Sequence, residues 1–314
     1  MLQSVTDVEE VVLQMMSGAD QIYVNTAATA KLERLTIDLR PSTTVSTGDG
    51  YPDSNFVNGT AAADNINISG AEGSVTISGL APLIAIQGSD YARDTLTASM
   101  GPEADIVNAQ ALGADAIRLV VRGGSGNDTI TGSLGNDLFI WNPGDGSDTI
   151  DGAAGNDTLQ LFGSNISDKV ALTANAGRFR FTRDIAAVAI ESIGVEQVKF
   201  AALGGSDTIS LNDLSSTAVR QVAIDLASST SPAGDLQPDT ISINALTTKA
   251  IATTIGPGTM NIAWAGVRTS ITGIEPASDR LIRQTPAGAA PALTSAFEPE
   301  KAVEVEEGGG EAQQ

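Results

Sequence analysis

The chain has 314 residues, 41% of them apolar but only 4% aromatic, and carries 17 Lys and Arg against 38 Asp and Glu, a net charge of −21. So acidic a chain offers no phosphate-binding face, which argues against nucleic acid as a partner and makes cations its natural counterpart. With no Cys and no His, disulfides, thiolate chemistry, zinc sites of the usual kind and any mechanism with a histidine base are excluded too.

By length the chain corresponds to about two domains. So few aromatics are thin material for two large globular cores. They suit an architecture of many short strands, each burying one or two small aliphatics. Residues 1–20, MLQSVTDVEEVVLQMMSGAD, lack the basic n-region and long apolar core of a signal peptide, and only DVEEVVLQMM (7–16) hints at a helical period. No apolar run approaches the roughly 20 residues that span a bilayer.

Residues 8–39 align without gaps on residues 195–226, with Val8 on Val195, Gly18 on Gly205, Asp20 on Asp207 and the same closing Ile-Asp-Leu. The chain therefore holds an internal duplication and starts in mid-unit, as a truncated product or a piece of a longer repetitive protein would. Along both copies an aspartate leads into a short alternating run: DQIYV (20–24), DNINI (64–68), DTLTA (94–98), DTISL (207–211) and DTISI (239–243). Each reads as a turn aspartate followed by a strand, as do VTISGL (75–80) and MNIAWAG (260–266). Asp20, Asp64, Asp94, Asp207 and Asp239 lack a full glycine frame and are expected to cap turns or strands.

Between the two copies the pattern sharpens. GGSGNDTIT (123–131), GSLGNDLFI (132–140), PGDGSDTID (143–151) and GAAGNDTLQ (152–160) are four nonapeptides, with Trp141 and Asn142 as an insertion. The fourth place is always glycine (Gly126, Gly135, Gly146, Gly155), the sixth always aspartate (Asp128, Asp137, Asp148, Asp157), and the eighth always apolar (Ile130, Phe139, Ile150, Leu159). If two repeats make one coil, Asp128 stacks on Asp148 and Asp137 on Asp157, roughly 4.8 Å apart as neighbouring strands are. Carboxylates so close repel unless one is protonated or a cation lies between them, and Ca²⁺, bound by oxygens at about 2.3–2.6 Å, suits the gap. Ser133, Ala153 and Pro143 depart from glycine in the first two places and are expected to strain their turns.

The block resembles the hemolysin-type (RTX) calcium-binding nonapeptide, Gly-Gly-x-Gly-x-Asp-x-apolar-x. That resemblance implies a parallel β-roll with calcium between successive turns. The ligands it implies are the carboxylates of Asp128, Asp137, Asp148 and Asp157 and the glycine-rich turns at Gly123, Ser125, Gly126, Gly132, Leu134, Gly135, Gly144, Gly146 and Gly155. The wider chain is similar to large, repetitive, secreted bacterial proteins of this kind. It implies an extracellular, non-enzymatic binder of calcium ions, with a cell-surface or matrix polysaccharide or protein as a further partner. The rival readings are a β-helix enzyme acting on polysaccharide and a metal-free spacer.

Beyond the block, VALTANAGRFRF (170–181) reads as a hairpin about Asn175-Ala176-Gly177, and Arg178, Arg180 and Arg183 as a solvated face. From Pro276 the chain becomes rich in Pro, Ala, Glu and Gly and reads as a disordered acidic tail. The expected fold is all-β: a solenoid module at 1–121, a calcium-binding β-roll at 122–163, a second solenoid module at 164–275 and a tail at 276–314.

Overall fold

The computed structural model describes residues 7–26, 31–228, 234–244, 252–264 and 266–284. Among these are 25 strands and a single short 3₁₀ turn, Ile185–Ala187. The strands form two long sheets, of 14 and 11 strands, which face each other as the two walls of a β-solenoid. Each strand is short because its sequence is short. An alternating run such as Thr-Ile-Ser-Leu-Asn (208–212) buries Ile209 and Leu211 and turns its other side chains outward. The runs named above all form strands, from Gln21–Asn25 to Thr259–Trp264. The stretch at 7–16 is a strand as well, Glu10–Gln14, paired in parallel with Arg34–Asp38. Its hint of a helical period is overridden by that pairing.

Through the nonapeptides successive strands alternate between the sheets, and most neighbours within a sheet are parallel. Thr129–Thr131 pairs with Thr149–Asp151, with Ile130 opposite Ile150. Leu138–Trp141 pairs with Thr158–Phe162, with Phe139 opposite Leu159. Two nonapeptides therefore make one coil, as the RTX resemblance implies. The pure parallel pattern is interrupted by antiparallel excursions. Lys169–Asn175 and Arg178–Arg183 form the expected hairpin, with Ala176 and Gly177 at φ +49° and +84°. Others lie at Asn65–Ala71 with Ser74–Ser78 and at Ala252–Gly256 with Thr259–Trp264, at matching places of the duplicated units. The copies occupy opposite walls: Arg34–Asp38 belongs to the 14-stranded sheet and its counterpart Gln221–Asp225 to the other.

One hydrophobic core runs the length of the molecule, from Ile22 to Leu281. The described residues of the segments 1–121, 122–163 and 164–275 contribute consecutive stretches of it, and both sheets run on from one segment to the next. The solenoid continues past Pro276, because Arg280–Gln284 pairs in parallel with Thr240–Asn244. Residues 276–284 therefore belong to the fold rather than to a tail, and 285–314 lie outside the described residues. Most of the core is aliphatic, but its middle is aromatic. Phe181, from the hairpin, lies with ring centroids 6.0 Å from Trp141 and 5.7 Å from Phe200, which come from the opposite sheet. Phe181→Ala should destabilise the protein by about 3–5 kcal/mol. Tyr51→Ala, at a side chain 55% exposed, should stay within about 0.5 kcal/mol. Urea unfolding of the two variants checks the difference.

Candidate metal centre

Each sixth-place aspartate sits one residue before its strand, at the corner where a turn enters the sheet. There it is buried: Asp128 is 1% exposed, Asp137 3%, Asp148 4% and Asp157 0%. The backbone N–H of Asp128 donates to Asp148 Oδ1 at 3.0 Å, and that of Asp137 to Asp157 Oδ1 at 2.8 Å, each pair 20 residues apart. The stacking expected from the spacing is therefore present at both corners. The ladders do not stop at the nonapeptides. Asp105 N–H donates to Asp128 Oδ1 at 2.8 Å, and Asp157 N–H to Glu196 Oε2 at 2.9 Å. Farther out, Asp53 donates to Asp94, Asp64 to Asp105, Asp168 to Asp207 and Asp207 to Asp239 in the same way. Asp94, Asp207 and Asp239 thus cap the backbone of a neighbouring coil, whereas the Asp64 carboxylate caps Thr60 of its own turn. So do Asp128, Asp148 and Asp157, and capping there is no alternative to a ligand role, because it occupies only one carboxylate oxygen.

The second oxygen separates the sites. Ser133 N–H donates to Asp137 Oδ2 at 2.5 Å and its hydroxyl to Oδ1 at 2.7 Å. Ser133 therefore stabilises its turn, contrary to the strain expected of it. Ala153 does carry a left-handed backbone, with φ +65°. Asp128 Oδ2 and Asp157 Oδ2 are buried and have no hydrogen-bond partner. An acceptor buried without a donor costs its desolvation, of order 1–3 kcal/mol and more for a charged group. Burial is the first cause that lifts the carboxyls, Asp128 and Asp137 to about 6, Asp148 to about 7 and Asp157 to about 8. Neighbouring carboxylates add to it: Asp105 and Asp145 act on Asp128, and Asp137, Glu196 and Asp151 on Asp157.

The glycine turns are packed coil on coil. A Cβ on Gly146 would come within 1.6 Å of Gly126 O, one on Gly155 within 2.1 Å of Gly135 O and one on Gly126 within 1.9 Å of Glu103 O, so these three fourth places admit glycine alone. Gly123 and Gly132 lie against the carboxylates of Asp128 and Asp137 in their own repeats. Ser125 bridges to Pro102 of the preceding turn, and Leu134 N–H donates to Leu112 O while its side chain stays 48% exposed. Gly144 is left-handed, φ +107°, with open space about it. Gly146 O accepts from the Trp141 indole at 2.9 Å, which gives the insertion a structural role. Among the described residues no three carboxylates converge as a ready-made metal site. A cation here would be held by stacked carboxylates completed with turn carbonyls, the oxygen chemistry that suits Ca²⁺.

Residues 120–140 and 144–164 match the RTX calcium-binding nonapeptide repeat, in four copies. The chain carries an RTX block. No curated protein matches the chain, and the duplicated flanks lie outside the RTX match. Glu196 and Asp105 are the carboxylates that the nonapeptide pattern misses. Asp105 could have been found from the glycine four places before it, Gly101, whose N–H donates to its Oδ2 at 3.3 Å. Glu196 replaces the aspartate by a longer acid and stands 39 residues beyond Asp157, because the hairpin intervenes. Arg183 also corrects the sequence reading. It lies on no solvated face but is 5% exposed, with Nε donating to Asp168 Oδ1 at 2.8 Å. Arg180 does pair at the surface, with Glu191 at 3.2 Å.

The sign of the pH dependence follows from the raised carboxyls. Their folded values of about 6 to 8 exceed the ordinary 3.8, so between those limits the folded state holds more protons than the unfolded one. Stability in chelator should therefore fall from about pH 5 to about pH 8. Melting temperatures in EGTA across that range, with millimolar Ca²⁺ reducing or reversing the fall, check this.

Proposed function

We propose that the RTX block takes up calcium and so stiffens the middle of a secreted, extracellular solenoid with a structural or adhesive task. The observation that carries this reading is the pair of buried carboxylate oxygens without donors, Asp128 Oδ2 and Asp157 Oδ2, on stacked turns. A divalent cation would supply the positive charge those oxygens lack. Asp128 and Asp148 would hold one ion and Asp137 and Asp157 another, with Asp105 and Glu196 next in each ladder. The net charge of −21 favours the same partner. Among the described residues no helix is long and apolar enough to cross a membrane. A polysaccharide or protein of a cell surface or matrix is the further partner this reading expects, and non-enzymatic binding is the role.

Ligation confined to the folded state adds RT ln(1 + [L]/Kd), about 2.7 kcal/mol at a hundredfold excess over Kd. The melting temperature should therefore rise from EGTA to millimolar Ca²⁺, and an unchanged value would leave the block a metal-free spacer. The variants should also couple in pairs. Asp137→Ala and Asp157→Ala together should cost less calcium-dependent stability than the sum of the two, by roughly 0.5–3 kcal/mol. Asp137→Ala with Asp128→Ala should cost nearly the sum. Equal coupling in every combination would contradict two separate sites.

A further inference from the structure

Outside the RTX block one more ladder carboxylate is left in the same state. Asp207 is 2% exposed, and its Oδ2 is buried without a hydrogen-bond partner, as those of Asp128 and Asp157 are. The three share a backbone feature. The residue four places earlier is left-handed in each: Gly124 at φ +87°, Ala153 at +65° and Leu203 at +75°. At Asp64, Asp168 and Asp279 the residue at that place instead donates its N–H to Oδ2: Thr60 at 2.7 Å, Ser164 at 2.9 Å and Glu275 at 2.7 Å; before Asp148, Gly144 is left-handed as well, at φ +107°. A bulky leucine at positive φ is costly and persists only where the surroundings impose it. The fourth-place glycine is present too. Gly205 has φ +107°, and a Cβ on it would come within 2.5 Å of the Ile166 carbonyl carbon, the coil-on-coil fit of Gly146 over Gly126. The turn 202–207 is thus an RTX-like turn with Ala202 and Leu203 in the glycine places, which the nonapeptide pattern passes over.

Its surroundings are acidic. The charged groups that act on Asp207 are Asp239, Asp168 and Asp235. Arg183, the cation nearest in the ladder, is committed to Asp168. Asp235 Oδ2 accepts from Gly205 N–H at 2.6 Å, and it and Asn165 Oδ1 both lie 3.4 Å from where a Gly204 Cβ would stand. Side-chain oxygens of the turns on either side, Asn165 and Asp235, therefore flank this turn at Gly204. The duplicated unit repeats the arrangement: Met16 is left-handed at φ +66°, Gly18 N–H donates to Asp49 Oδ2 at 2.7 Å, and Asp20 N–H to Asp53 Oδ1 at 2.8 Å. The corresponding bonds in the second copy are Gly205 to Asp235 and Asp207 to Asp239, the latter at 2.8 Å.

We propose that the turn 202–207 binds a further hard divalent cation of the calcium class, with Asp207 as its buried anionic ligand and Asp235 as an outer one. The inference shares its physical ground with the proposed function but does not depend on the RTX block being occupied. The test is Asp207→Asn in the full chain, melted in EGTA and in millimolar Ca²⁺, with bound calcium counted by equilibrium dialysis. Asparagine keeps an acceptor for the Asp168 N–H and removes the charge. The variant should melt at or above the native temperature in EGTA, below it in calcium, and bind one ion fewer. An equal drop in both media with the ion count unchanged would make Asp207 a backbone cap only and overturn the proposal. An equal rise in both with the count unchanged would also overturn it. Asp128→Asn with Asp157→Asn tests the RTX reading separately: calcium lost there but not at Asp207 upholds the block alone, and the reverse upholds this site alone. A native chain that binds no calcium overturns both. If Asp207→Asn does not fold, Asp235→Asn takes its place, with a weakened affinity at one site expected and an unaltered titration contradicting it.

Discussion

Every coil of this solenoid depends on a carboxylate placed where a turn enters a sheet. A parallel strand that starts at a corner leaves an N–H without a ladder partner, and that group must find an acceptor. Here an aspartate of the next coil supplies it, at 2.7–3.0 Å along Asp64, Asp105, Asp128 and Asp148 and again along Asp168, Asp207, Asp239 and Asp279. The arrangement satisfies the backbone but stacks negative charges in a buried row. Stability of the fold therefore turns on how each second oxygen and each charge is neutralised.

The molecule uses three means. At Asp64, Asp137 and Asp279 a backbone N–H from the same turn caps the second oxygen. At Asp168 a guanidinium does the work: Arg183 and Asp168 form an ion pair at 2.7 Å with side chains 4% and 0% exposed. Removing either partner would leave an uncompensated buried charge, a loss of about 3–5 kcal/mol in such pairs. At Asp128, Asp157 and Asp207 the protein provides neither, and these are the places left for a proton or a metal ion. In the proposed reading calcium dependence belongs to particular turns. At Asp128, Asp157 and Asp207 the residue four places before the aspartate is left-handed and donates no N–H to the second oxygen.

Much of this was legible in the sequence. The aspartate-plus-alternation phrase located strands from Gln21–Asn25 to Thr240–Asn244, because a strand with one face on a core fixes its own period. The twenty-residue stacking of Asp128 on Asp148 follows from the nonapeptide count together with the two repeats per coil that the RTX resemblance implies. What escaped reading was set by partners far along the chain. Arg183 looks like a member of an exposed arginine row until its antiparallel strand folds it against Asp168. Glu196 takes an aspartate's place only because the hairpin excursion returns the chain to the same corner. The turn of Asp207 lacks the first glycines of the pattern, although it shares the left-handed second and fourth places of the turns before Asp128, Asp148 and Asp157. The tail boundary failed at 276 because a Pro- and Ala-rich composition conceals the final strand, Arg280–Gln284.

The central claim is that buried ladder carboxylates exchange a proton for a metal ion. The direct test is calorimetric titration of the native chain with Ca²⁺ near pH 7, in two buffers of different ionisation enthalpy, which counts the protons released on binding. Asp148 and Asp157, lifted to about 7 and about 8, should give up protons as the ion enters. Binding heats that depend on the buffer, with net proton release that shrinks toward zero as the pH is raised, are the predicted result. Calcium binding with no proton release at any pH would contradict the account.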